Sequence, residues 1–140
     1  MILIINTSDN LGFTVALAKK NGFLVYKKNI KGQYNQAERL LPELALAMKK
    51  TGLKFQDLTG LAVVRGPGGF TSLRIGINTA NTLAYALNIP AVGFLTREFN
   101  NLSQLAAKSA AKLKLIKKNI IISPFYGSQP NITKSKKKLY

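Results

Sequence analysis

The sequence predicts an α/β fold, a mixed sheet of about five strands with covering helices, followed by an extended basic tail. Three observations carry that reading. Residues 1–28 alternate apolar runs with polar turns and show no helical period, as antiparallel strands joined by tight turns do. Residues 34–50 then switch to apolar spacings of three and four, the period of a helix lying on a core. Finally, an apolar run at 61–64, a glycine loop, a helical stretch at 72–87 and a second apolar run at 91–95 make a strand–helix–strand unit. Such a crossover is right-handed and adds parallel strands to the sheet.

Taken in order, Ile2 to Ile5 forms the first strand and ends in the polar turn Asn6-Thr7-Ser8-Asp9-Asn10. A second strand runs from Gly12 or Phe13 to Leu17, and Lys19-Lys20-Asn21-Gly22 turns the chain into a third, from Phe23 to about Lys28. In the helix spanning Tyr34 to Lys50, Leu40, Leu41, Leu44, Ala45 and Met48 make one apolar face. Pro42 lies inside it, so the regular helix either begins near Leu41 or bends at the proline. Gly52 supplies the C-terminal stop. After the crossover, a third helix from Thr96 to Lys117 starts with Thr96 as N-cap and Glu98 in its first turn. The run Asn119–Ser123 is strand-like. From Pro124 onward glycine, serine, proline and asparagine give way to lysine, which divides the chain into a domain at 1–123 and a tail at 124–140, ordered only on a partner.

Composition narrows the chemistry. With 140 residues, 46% of them hydrophobic, the chain has one domain's worth of core and is no disordered polyelectrolyte. No apolar run reaches the ~20 residues that span a bilayer, and Met1–Ile5 lacks the features of a signal peptide. The chain has no cysteine, and the cytoplasm is the expected compartment. Histidine is also absent, which removes the usual zinc ligands and the commonest general base. The five acids, Asp9, Glu38, Glu43, Asp57 and Glu98, are scattered, which argues against autonomous catalysis. The net charge is +16, and nine lysines without an acid follow Glu98. That field either attracts a polyanion or an acidic protein, or is a solvated lysine-rich surface.

Function is most legible in the loop Arg65-Gly66-Pro67-Gly68-Gly69-Phe70-Thr71-Ser72-Leu73-Arg74. Glycines between a strand and a helix allow positive φ and let a backbone or a phosphate come close. Thr71 or Ser72 can cap the helix that follows. No Lys-Ser or Lys-Thr pair follows the last glycine, so this is not a P-loop, and the spacing is not that of the dinucleotide fingerprint. A ligand-free turn is the other reading. On the helix beyond it Leu73, Ile77, Ala80, Ala84 and Leu87 share a face, and Gly76, Ala80 and Ala84 recur every four residues as a ridge that another helix can approach closely. Two apolar helices offer more stripe than a small sheet must cover, and the surplus is a candidate protein interface.

The string G-P-G-G-F-T-S-L-R-I-G, followed by a small-residue helix, resembles the signature of the TsaB (YeaZ) family, usually G-P-G-S-F-T-G-L-R-I-G. The opening I-L-I-I-N-T-S, the segment N-Q-A-E-R-L-L-P and N-I-P-A-V-G-F-L-T extend the similarity over about residues 1–98. Two departures stand out: Asn6 where the family usually has aspartate, and Tyr34-Asn35 where histidine with threonine or serine is common. The resemblance implies a single actin-like/ribonuclease H-like (ASKHA) half-domain. Because S-P-F-Y-G-S-Q-P-N-I-T is similar to the P-x-Y motif closing many full-length members, it also implies a compact form without the second actin-like half.

In function, the resemblance implies a non-catalytic scaffold subunit of the complex that makes threonylcarbamoyladenosine at position 37 of tRNA. The expected partner is the catalytic TsaD, which would hold ATP and metal, so that no cofactor and no metal belong to this chain. A TsaE-like ATPase and the enzyme producing threonylcarbamoyl-adenylate complete the complex. Carried over by position, Leu40, Leu41, Leu44 and Met48 of the first helix and Gly76, Ile77, Ala80, Ala84 and Leu87 of the second become candidates for the TsaD interface, and for a homodimer when the chain is alone. Gly66, Gly68 and Gly69 are expected to fix the turn with Pro67, and Phe70 to anchor the loop in the core. Arg65 and Arg74 would meet a partner carboxylate or an RNA phosphate, or stay solvated. The competing reading is a basic RNA-binding module that contacts tRNA through Lys134, Lys136, Lys137 and Lys138. An ATPase or a metal protease fits poorly, for want of the first-strand acid and of histidine.

Overall fold

The computed structural model describes residues 1–32, 35–116 and 120–127. Strands β1 (Ile2–Asn6), β2 (Gly12–Ala18), β3 (Leu24–Lys31), β4 (Gly60–Gly66) and β5 (Ala91–Leu95) form one sheet in the order β3-β2-β1-β4-β5. The first three pair antiparallel, whereas β1–β4 and β4–β5 are parallel, so the sheet is the mixed one that the meander and the crossover predict. β1 is central and buried on both faces, which is why it reads as an unbroken apolar run.

Helices α1 (Gln36–Thr51) and α2 (Phe70–Leu87) cover the face carrying Leu3, Ile5, Val15, Leu17, Leu61 and Val63. Helix α3 (Leu102–Leu113) covers Ile2, Ile4, Ala16, Val64, Val92 and Phe94 on the other. The helix α1 begins well before Leu41, and Pro42 is accommodated inside it. Proline removes one intrahelical hydrogen bond, but burial of Leu40, Leu44, Ala47 and Met48 holds the helix through it. One flank of α1 is tied to β3: Glu43 pairs with Lys28 at 3.0 Å, and Arg39 donates to the Lys31 carbonyl at 2.6 Å.

Three expectations are corrected. The third helix does not start at Thr96. Glu98 accepts from the Leu95 amide at 2.6 Å and closes a short 3-10 turn, and α3 starts only after Asn101, whose side chain accepts from the Gln104 amide at 2.8 Å. Asparagine is the stronger N-cap, so the later start wins. Second, Ile120–Ser123 belongs to no strand; its polar backbone is satisfied by side chains, as Asn81 both donates to the Ile122 carbonyl and accepts from the Ile122 amide at 2.9 Å. Third, Pro124–Gly127 is not part of a free tail. It packs back on the glycine loop and, with 120–123, forms a single strap.

Candidate functional site

The glycine loop joins β4 to α2 at the carboxyl ends of the parallel strands, the edge where ligands bind in open α/β sheets. Here the close approach that glycines permit is made to the chain's own backbone. At Gly66, with φ at 132°, a Cβ would run into the Phe125 carbonyl, and at Gly68 it would meet the Ser8 carbonyl at 2.6 Å. The Gly66–Pro67 bond is cis. A Cβ on Gly127 would in turn touch Pro67 at 2.9 Å. The loop is thus sandwiched between the β1–β2 turn and the strap.

Arg65 sits at a bulge between β4 and β5, where Val64 pairs with Phe94 and Gly66 with Leu95. Its carbonyl accepts from the Phe125 amide at 2.7 Å, its Nε donates to the Ser123 carbonyl at 2.9 Å, and its guanidinium lies 6.0 Å from the Phe125 ring centre. Within the chain, Arg65 is engaged by the strap, a contact that the sequence reading did not foresee. Arg74 is exposed, one helical turn beyond Phe70 on the same face.

Phe70 does not anchor the loop in the core. It is 46% exposed and stands against Tyr126, ring centres 4.0 Å apart and inclined by 58°. Nor does Thr71 or Ser72 cap α2: Gly69 is the N-cap, and the Ser72 hydroxyl donates to the Gly69 carbonyl at 3.4 Å. Beside Phe70 opens a cavity of about 420 Å³ lined by Asn10, Gln36, Ala37, Gly69, Thr71, Ser72 and Ile75. Asn6, at the position where an acid was missed, accepts from the amide of Ser8 at 3.0 Å and from its hydroxyl at 2.6 Å, so its side chain closes its own turn.

The interface candidates divide sharply. Leu40, Leu44, Met48, Gly76, Ile77, Ala80 and Ala84 all face the chain's own sheet and are buried there. Gly76 has a local reason to be glycine. A Cβ would collide with Thr7, whose hydroxyl donates to the Ser72 carbonyl at 2.6 Å and binds the end of β1 to α2. Leu87 is half-buried, and Leu41 alone among the nine is well exposed, at 56%. Beside it on α1 stand exposed Ala37 and Ala45, and Ala37 shares a cavity with Ile75 of α2, so the outward edges of the two helices adjoin. The spacing showed the stripe but not its depth: one sheet face absorbs nearly all of it. Lys134, Lys136, Lys137 and Lys138, like Tyr34, lie outside the described residues.

Sequence reasoning missed Asn81, Asn10 and Gln36, polar residues whose roles depend on segments distant in sequence. The P-x-Y motif was the one visible signal for the strap.

Comparison with known proteins bears on this geometry. Residues 32–113 match the model of the family described as TsaD: tRNA N6-adenosine threonylcarbamoyltransferase. The TsaB threonylcarbamoyladenosine biosynthesis protein of Buchnera aphidicola is 33% identical over 123 residues, 88% of this chain and 54% of that protein. A tRNA N6-adenosine threonylcarbamoyltransferase of Listeria monocytogenes is 32% identical over 107 residues, 65% of this chain and 31% of the enzyme. The solved structure of YeaZ from Pseudomonas aeruginosa superposes with a TM-score of 0.62 at 30% identity, over 67% of this chain and 43% of that one. The chain spans about half the length of the TsaB relative it matches.

Proposed function

The chain belongs to the family of the tRNA N6-adenosine threonylcarbamoyltransferases, on its TsaB (YeaZ) side, and on that premise we propose that it serves tRNA threonylcarbamoyladenosine biosynthesis as a non-catalytic subunit supporting a TsaD-type partner. One observation carries the reading beyond family likeness. α1 and α2 lie side by side on one sheet face, and their joined outward edge presents Ala37, Leu41 and Ala45, small or apolar residues that the fold itself leaves exposed, beside half-buried Ile75. A helix pair of the partner fits such an edge, since small side chains allow close backbone approach. The same edge would serve a homodimer when the chain is alone. A sequence without histidine or cysteine, and with Asn6 committed to its own turn, supports placing ATP, metal and catalysis on the partner, with a TsaE-like ATPase as a further member of the complex.

The test is co-purification with the TsaD of the same organism and light scattering at low and high salt. We expect a salt-resistant heterodimer that Leu41→Arg weakens at least tenfold while the fold is kept. Ala80→Arg, at a site 0% exposed, is expected to unfold the chain instead. No complex at either salt concentration would overturn the reading. A second reading, a basic RNA-binding module, is favoured by the net charge of +16; polyanion binding that falls steeply with salt is its signature.

A further inference from the structure

Phe70 poses a question that the scaffold reading leaves open. A phenylalanine 46% exposed, on the first turn of a helix, contributes little to the core. It has Tyr126 4.0 Å away and also lines the cavity of about 420 Å³. That volume lies in the range of small-ligand sites, about 300–1,000 Å³. The wall is mixed: Phe70 and Ile75 are apolar, Asn10 and Thr71 bring an amide and a hydroxyl that can both donate and accept, and Gln36 and Ser72, which donate to the Asn10 and Gly69 carbonyls, bring oxygens that can accept. An aromatic face beside such hydrogen-bonding groups is what a nucleobase requires, a stacking surface together with partners for its edge.

A cation stands near the aromatic side of the cavity. Arg74 stands exposed one turn beyond Phe70 on the same side of α2, within reach of a phosphate attached to a base stacked there. Of the acids near the cavity, Asp9 is turned to its own chain and accepts from the Leu11 amide at 2.9 Å, while Glu38 stands exposed on the first turn of α1, next to Ala37.

We propose that Phe70, backed by Tyr126, is the stacking surface of a binding site for single-stranded nucleic acid, in which one unpaired base enters the cavity and Arg74 takes the adjoining phosphate. The site does not rest on the scaffold reading, but its cavity shares Ala37 and Ile75 with the edge assigned there to the partner, so a docked partner and a bound base compete for it. It also differs from an RNA contact made by the tail lysines alone.

The competing role for Phe70 is to pack the strap, and the experiment separates the two. Binding of fluorescein-labelled ~12-nucleotide oligouridylate, oligoadenylate, oligothymidylate and a duplex of the same length is measured by anisotropy for the full chain at low salt. The variants are Phe70→Ala, Phe70→Leu, Arg74→Ala and Tyr85→Ala, each checked for folding by circular dichroism. Tyr85 is a fully built control: an aromatic 88% exposed on the same helix, about 22 Å along its axis from Phe70. The expected result is that single strands bind more tightly than the duplex and that Phe70→Ala weakens them roughly tenfold or more. Leucine keeps the apolar bulk without the ring, so Phe70→Leu is expected to be nearly as weak. Arg74→Ala should lower the affinity severalfold and flatten the salt dependence, and Tyr85→Ala should leave binding unchanged. Comparison of the uridylate and thymidylate arms tells RNA from DNA as the preferred strand. The proposal is overturned if the chain binds no single strand at low salt, if Phe70→Leu binds like the parent, or if Tyr85→Ala costs as much as Phe70→Ala.

Discussion

Gly76 shows how a single residue fixes a helix on a strand. In the interior of α2, alanine is worth about 1 kcal/mol more than glycine on helix propensity, so Gly76→Ala would stabilise an isolated helix. In this fold the new Cβ would run into buried Thr7, whose hydroxyl holds the Ser72 carbonyl at 2.6 Å. Relief requires α2 to lift or Thr7 to turn, and turning leaves the Ser72 carbonyl without that donor. Losing a buried hydrogen bond together with overpacking costs roughly 2–4 kcal/mol, so the clash outweighs the propensity gain. Urea unfolding of Gly76→Ala should therefore show a net loss of about 1–3 kcal/mol; a variant as stable as the parent would mean that the contact is soft. The sequence marked Gly76 as part of a small-residue ridge for another helix, but the third dimension assigns it to its own β1. Phe70 was misplaced for a related reason. A phenylalanine after a glycine loop looks like an anchor, and only the position of Tyr126 reveals that its ring stands outside the core.

Among the elements, the strap depends on side chains for what a strand would obtain from a ladder. Asn81 holds both the amide and the carbonyl of Ile122, and Arg65 holds Ser123 with its side chain and Phe125 with its main-chain carbonyl. At about 0.5–1.5 kcal/mol for each hydrogen bond, Asn81→Ala should release the middle of the strap while the sheet stays intact. Limited proteolysis within 120–127 is expected to quicken about tenfold with little change in thermal midpoint; an unchanged cleavage rate would refute this role for Asn81. The strap was the least legible part of the sequence, because nothing local encodes partners forty residues away. The sheet was the most legible: its central strand is an apolar run, its hairpin turn ends in Gly22 with φ at 91°, and its crossover is marked by glycines. β3 ran three residues beyond the expected end because Ile30 is buried on the α1 face, while lysines at 27, 28 and 31 hid the alternation. The start of α3 was misread because Thr96 with an acid soon after it reads as an N-cap and a first-turn carboxylate, whereas the Asn101 side chain caps the true start.

For the molecule as a whole, charge sets two responses of opposite sign. Twenty-one lysines and arginines face five acids. Among the described residues, the ion pairs Lys28–Glu43 and Arg39–Glu43 share one carboxylate. Such partly exposed pairs contribute about 0–1 kcal/mol each, so salt has little attraction to weaken in the fold. Repulsion among the remaining cations opposes compaction, and the screening length falls to about 10 Å at 0.1 M salt. Raising sodium chloride from roughly 20 to 300 mM should therefore stabilise the chain, by about 1 kcal/mol or roughly 3–6 °C in thermal midpoint for a domain of this size. The same salt should weaken any polyanion complex, since each neutralised phosphate returns counterions. Scanning calorimetry and oligonucleotide anisotropy over one salt series check both signs together. A midpoint that falls with salt would mean that attractive pairs hold the fold, and the basic surface could then no longer be read as a field left free for a polyanion.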